Sequence, residues 1–86
     1  MKLNRSAITH NMGDTQILVS ADSSVFSGLI RSNQTAAFIV DCLKEETTKD
    51  KIIDAMLVKY DAPRELIAQD VESVLAKLRS TGLLDE

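Results

Sequence analysis

The sequence predicts an α+β fold. Three short β-strands come first, then three helices packed as a helix-turn-helix-like unit with a small sheet at one edge. Three observations carry this reading. Short apolar runs flank Gly13-Asp14 near the start of the chain. The stretch from Gly28 to Leu43 reads as a strand, a sharp change of direction and a helix that is apolar on most of its surface. Beyond Thr48, apolar residues recur at helical spacing with one break, at Asp61-Ala62-Pro63.

The elements follow in order. Residues 1 to 5 are expected to be loosely held. Ile8 to Met12 and Gln16 to Val19 are strand segments, and a Gly beside an Asp between them favours a tight hairpin reversal. Their apolar positions are Ile8, Met12, Ile17 and Val19, with Leu18 breaking the alternation. Ser20 to Ser24 is a polar loop, after which Val25 and Phe26 are expected to fold back onto the core. Gly28 permits the turn into the third strand, Leu29 to Ser32.

Asn33 suits a helix N-cap, because its side-chain oxygen can accept from an orphan N–H of the first turn. Ala36, Ile39, Val40 and Leu43 then form one helical stripe, with Phe38 and Cys42 beside it. A helix so little wetted is the central helix of the domain. Lys44 to Thr47 is a charged connector, and the second helix opens on Thr48, or on Thr47 with Asp50. Ile52, Ile53, Met56, Leu57 and Tyr60 give its apolar face. Pro63 ends that helix and starts the third, since Pro is tolerated only in a first turn. Leu66, Ile67, Val71, Val74, Leu75 and Leu78 define the third helix, which is acidic early and basic late, as the helix dipole favours. Gly82 is its C′ residue, with Leu83 placed to pack back.

The 86 residues make a single domain spanning 1–86, and 44% apolar content is enough for one core. Two Phe, one Tyr and no Trp leave that core to aliphatic side chains. No export leader opens the chain, and no run approaches the roughly 20 apolar residues that span a bilayer. Together with a single cysteine, this points to a cytoplasmic protein with no membrane partner. The net charge is −3, and ten basic residues are scattered among thirteen acidic ones. Phosphate contacts need clustered Lys and Arg, so a nucleic-acid partner is disfavoured.

Catalytic chemistry is hard to assemble from these residues. His10 is the only histidine and has no ligand-spaced Cys or carboxylate near it, so a structural or solvent-facing role is expected rather than metal binding. Cys42 lies on an apolar helix face, where a thiol is buried and inert. The three glycines each have a turn or cap to explain them, which leaves no phosphate loop. No enzyme activity, metal or cofactor is expected. Surfaces remain. The strand Leu29 to Ser32 offers an edge with only Arg31 to protect it. It is either a short and harmless edge or one that an extended partner peptide extends by β-augmentation. A second copy of the chain is an alternative occupant of the same edge, which would make a homodimer.

Gly28-Leu29-Ile30-Arg31, then Asn33, Thr35-Ala36-Ala37-Phe38 and Leu43, resemble PqqD-like proteins. So do Thr48, Tyr60-Asp61, Asp70-Val71 with Leu75, Leu78 and Arg79, and Gly82-Leu83-Leu84. The resemblance runs from about Ile8 to the end, carried by order and spacing. It implies a winged-helix-like RiPP recognition element. Such domains bind the leader of a ribosomally made precursor peptide without catalysis of their own. They present it to a modifying enzyme, often of the radical S-adenosylmethionine type. The implied peptide-binding residues are Leu29, Ile30, Arg31 and Ser32 on the third strand, where the leader adds as a further strand. Asp70, Ser73, Val74 and Lys77 on the third helix would line the accompanying groove. A winged-helix transcription regulator is the competing expectation, against which the acidic balance argues.

Overall fold

The computed structural model describes residues 1–86. Its elements are β1 (Lys2–Leu3), β2 (Ala7–Met12), β3 (Thr15–Ser20), β4 (Leu29–Ser32), α1 (Gln34–Cys42), α2 (Lys49–Lys59), α3 (Arg64–Thr81) and β5 (Leu84–Asp85). The fold is α+β, with N-terminal antiparallel strands followed by three helices.

β2, β3 and β4 form an antiparallel sheet in that order, with β3 central. Gly13 supplies the positive φ of 66° that the β2–β3 reversal needs. The register puts Thr9, Leu18 and Ile30 in one row and Ile8, Val19 and Leu29 in the next. Side chains alternate between faces, so these two rows face opposite ways. Leu18 and Ile30 are buried, whereas Ile8 and Leu29 are exposed. The residue that broke the expected alternation is therefore the one that anchors the sheet to the helices. Ile8, Met12, Ile17 and Val19 belong to the outer face.

The helix signals resolve into geometry. Asn33 Oδ1 accepts from the N–H of Ala36 at 2.9 Å and caps α1. Thr48 Oγ1 accepts from Lys51 N–H at 3.2 Å and caps α2. Gly82 adopts φ 78° at the end of α3. Its N–H reaches the carbonyl of Arg79, and that of Leu83 reaches Leu78, the paired bonds of a Schellman motif. Leu83 is fully buried as its hydrophobic contact. The core gathers Leu18 and Ile30 from the sheet with apolar faces of all three helices. Val25 and Phe26 pack against it from the loop before β4.

Three expectations are corrected. Residues 1 to 5 are tied in, not loose. β1 pairs with β5, Leu3 is buried, its N–H reaches the carbonyl of Leu43 at 2.7 Å, and Asn4 N–H reaches Leu83 at 2.8 Å. Leu66 is 54% exposed, because the buried face of α3 runs through Ile67, Val71, Leu75 and Leu78. Cys42 is half-buried, not enclosed. No helix is long and apolar enough to cross a membrane.

Candidate functional site

β4 pairs only with β3, so its other edge presents unpaired backbone groups. Four residues are enough for an added strand to bond in register, and Gly28 and Asn33 bound the segment. Ile30 and Ser32 point inward and are buried, while Leu29 and Arg31 point outward and are exposed. The strand passes directly into α1 through the Asn33 cap, which fixes the edge against the central helix.

Beside this edge lies a groove of about 170 Å³ between β4, α1 and α3. β4 contributes Ile30, Arg31 and Ser32, and α3 contributes Ser73, Val74, Lys77 and Leu78. Ala36 and Val40 of α1 complete it. Small side chains at Ser32, Ala36 and Ser73 are what keep the space open, since a larger residue at any of them would fill it. A second hollow of about 220 Å³ continues along α1 and α3 and shares Ala36, Ser73 and Val74 with the first. Asp70 and Asn33 line this far end.

The first hollow is mainly apolar, and the second is mixed, with Asn33, Thr35, Asp70 and Ser73 in its lining. Lys77 stands at one end and Asp70 at the other, with no opposite charge within salt-bridge distance of either. The Arg31 side chain lies on the outer face of the sheet beside Met12 and Ile17. The ion pairs of the molecule lie elsewhere. Lys49 on α2 meets Glu72 on α3 at 3.0 Å, and Arg79 meets both Glu72 and Glu86. The hydrogen bond from Lys49, with its charge and the bond from Arg79, holds the Glu72 carboxyl below its ordinary value.

Of the eight residues singled out in the sequence, six line the first hollow: Ile30, Arg31, Ser32, Ser73, Val74 and Lys77. Asp70 lines the second, and Leu29 lies on the β4 edge with its side chain on the outer face. The sequence pattern marks Ala36, Val40 and Leu78 only as core positions, yet they form the wall between strand and helix. The signal that marks them is the i, i+4 spacing of Ala36 and Val40 on the helix that follows the edge strand directly.

Other chemistry does not gather here. No group of three or more His, Cys, Asp or Glu side chains is placed to hold a metal. Burial pushes the Cys42 thiol above its ordinary value, and the neighbouring Asp41 charge adds to this. Both effects disfavour the thiolate.

The profile of the family described as coenzyme PQQ synthesis protein D (PqqD) matches residues 16–84. That is most of the chain, and the chain belongs to the PqqD family. Two solved structures resemble it over nearly their whole length. One is TbiB1 in complex with the TbiA(beta) leader peptide, with a TM-score of 0.83 and 20% identity, covering 99% of this chain and 95% of that one. The other is lasso peptide synthetase B1 complexed with the leader peptide, with a TM-score of 0.76 and 18% identity, covering 95% and 93%. At those identities the likeness establishes the fold. Comparison with curated proteins gives no match.

Proposed function

We propose that this chain is a non-catalytic adaptor. It binds the leader segment of a ribosomally synthesised precursor peptide as an added strand on β4 and presents the precursor to a modifying enzyme. One observation carries the proposal: the free edge of β4 opens onto an apolar groove walled by α1 and α3. Strand addition takes its affinity from main-chain hydrogen bonds and its selectivity from pockets for alternate side chains. Both parts are present side by side. Membership of the PqqD family supports the reading, as does the fact that both structural neighbours were solved with a leader peptide bound.

In this proposal Leu29, Ile30, Arg31 and Ser32 form the pairing edge, and Ser73, Val74, Lys77 and Asp70 line the groove. The unpaired Lys77 favours an acidic leader residue at its end of the groove, and Asp70 favours a basic one at the other. The charges thereby set the direction of the peptide more than its affinity. A second copy of the chain pairing through β4 would occupy the same edge, so the monomer is the leader-binding form. The adaptor works in the cytoplasm, where a ribosomal precursor is made. Its recipient enzyme is of the radical S-adenosylmethionine type by family resemblance. The lasso peptide synthetase named for one neighbour supplies the second reading. A DNA-binding regulator is not favoured, because the net charge is −3 and the ten basic residues form no cluster, whereas phosphate contacts need clustered cations.

The test is calorimetric titration of the chain with its cognate leader and with a scrambled leader, followed by reconstitution with the modifying enzyme. Saturable binding of the cognate leader alone, with precursor processed only when the enzyme is present, is expected. Equal binding of the scrambled peptide would contradict the leader-recognition reading. A change in precursor mass produced by the chain alone would contradict the adaptor reading.

A further inference from the structure

The proposed adaptor needs a second surface, because the leader takes the β4 edge with its groove and the modifying enzyme must be met elsewhere. Five large apolar side chains are half or more exposed. Three of them, Ile8, Met12 and Leu29, lie together on the outer face of the sheet, whereas Val58 and Leu66 lie on the helices. The register places Ile8, Val19 and Leu29 in one row and His10, Ile17 and Arg31 in the next, with Met12 beyond them opposite Thr15. The helices pack on the other face, through Leu18 and Ile30, and leave this one open. A contiguous exposed apolar patch on a small domain marks a contact surface.

The charge of this face is one-sided. The chain as a whole carries thirteen acidic residues and a net charge of −3. The rows of the outer face contain no carboxylate, and their titratable groups are His10 and Arg31. A hollow of about 180 Å³ opens on the face, lined by Met12, Thr15, Ile17 and Arg31. Arg31 has no carboxylate within salt-bridge distance. Two apolar side chains and one unpaired guanidinium therefore meet in one hollow. That combination suits a Glu or Asp side chain of a second molecule. Its aliphatic stem would lie on Met12 and Ile17, and its carboxylate would meet the planar fork of Arg31 in a bidentate pair.

Resting on the adaptor reading, we propose that the outer face of the sheet is the docking surface for the modifying enzyme. The matching patch of that enzyme is apolar and carries a carboxylate for the hollow beside Arg31. A second copy of the chain does not fit. Two-fold contact of this face with itself brings no carboxylate to Arg31 and would bury that charge unpaired. Three strands about 4.8 Å apart, at about 3.3 Å per residue, make a face of about 14 by 20 Å. That falls short of the roughly 800 Å² per partner of a stable complex. The contact is therefore transient, as handing over a substrate requires. A leader added at the edge lies in the plane of the sheet and the enzyme lies on its face, so both bind at once.

The probe is the enzyme that processes the precursor in the reconstituted assay, titrated with the leader-free chain at two ionic strengths. Saturable binding is expected, weakened about tenfold in I8S/M12S by the loss of two apolar anchors. R31Q is expected to weaken it about tenfold at low salt and less at high salt, through the lost ion pair. Ile8 and Met12 are exposed on β2, on the far side of the sheet from the β4 edge. The I8S/M12S variant therefore keeps its fold, which a dispersed amide spectrum checks, and its affinity for the leader. No saturable binding of the enzyme, or undiminished binding by either variant, would overturn the proposal. Self-association of the chain that I8S/M12S abolishes would also overturn it, by assigning the face to a second copy. Failure of the wild-type chain to bind leader would instead contradict the adaptor reading, which the leader titration reads separately.

Discussion

Replacing Leu75 by Ala tests the packing on which the groove depends. Leu75 is 1% exposed in the middle of α3, on the helix face that packs into the core against α1 and α2. The substitution removes the equivalent of three carbon groups. At about 0.8 kcal/mol for each, the transfer cost alone is about 2.4 kcal/mol. The cavity left behind adds to this, and buried Leu truncations span about 2–5 kcal/mol. At about 0.05–0.15 kcal/mol per residue, a domain of 86 residues has a total stability of about 4–13 kcal/mol. The variant therefore loses a large share of it. With a urea slope of about 1.5 kcal/mol per molar, the unfolding midpoint falls by about 2 M. Far-UV circular dichroism against urea measures this directly. Leu66→Ala is the control, since Leu66 is 54% exposed on the same helix, and it is expected to shift stability by no more than about 0.5 kcal/mol. A Leu75→Ala change that small, or a Leu66→Ala change as large as the one expected for Leu75, would refute the assignment of the α3 core face.

Further expectations concern charge and chemistry. Lys77→Glu removes an unpaired cation from the groove end. It is expected to weaken an acidic leader by about fivefold at low salt, and a neutral leader less, as titrations at two ionic strengths will show. Glu72 sits below its ordinary value of 4.5 in the folded chain, through Lys49 and then Arg79. The unfolded chain takes up that proton first as pH falls. The contribution is therefore complete above pH 4.5 and is lost as pH drops through the lowered folded value, a loss that Glu72→Gln is expected to flatten in acid-unfolding curves. Cys42→Ser and His10→Ala are expected to leave leader affinity and reconstituted processing unchanged per folded molecule. Loss of processing by a well-folded variant that still binds leader and enzyme would contradict the adaptor reading.

The parts of the fold that were legible in the sequence are those written in local chemistry. Asn33, Thr48 and Gly82 act at single backbone positions, so their types alone marked the ends of the helices. The strand Leu29–Ser32 was bounded by Gly28 and Asn33 and fell where expected. β1 and β5 were not legible, because each is two residues long and exists only through pairing across the whole length of the chain. Leu66 and Ile67 are adjacent on one stripe, and only tertiary packing decides which is covered. Leu18 is ambiguous for a related reason: three apolar residues in a row, Ile17 to Val19, do not say which face is the core. The groove residues on α3 came through family resemblance, whereas Ala36 and Val40 were hidden within a helix read as wholly core.

The most direct test of the central claim is amide chemical-shift mapping of the chain with its cognate leader peptide. Strand addition to β4 predicts saturable shifts clustered on Leu29 to Ser32 and on Asp70 to Lys77, with β4 amides newly protected from exchange. Shifts confined to α2, or to the loop from Ser20 to Ser27, would contradict it.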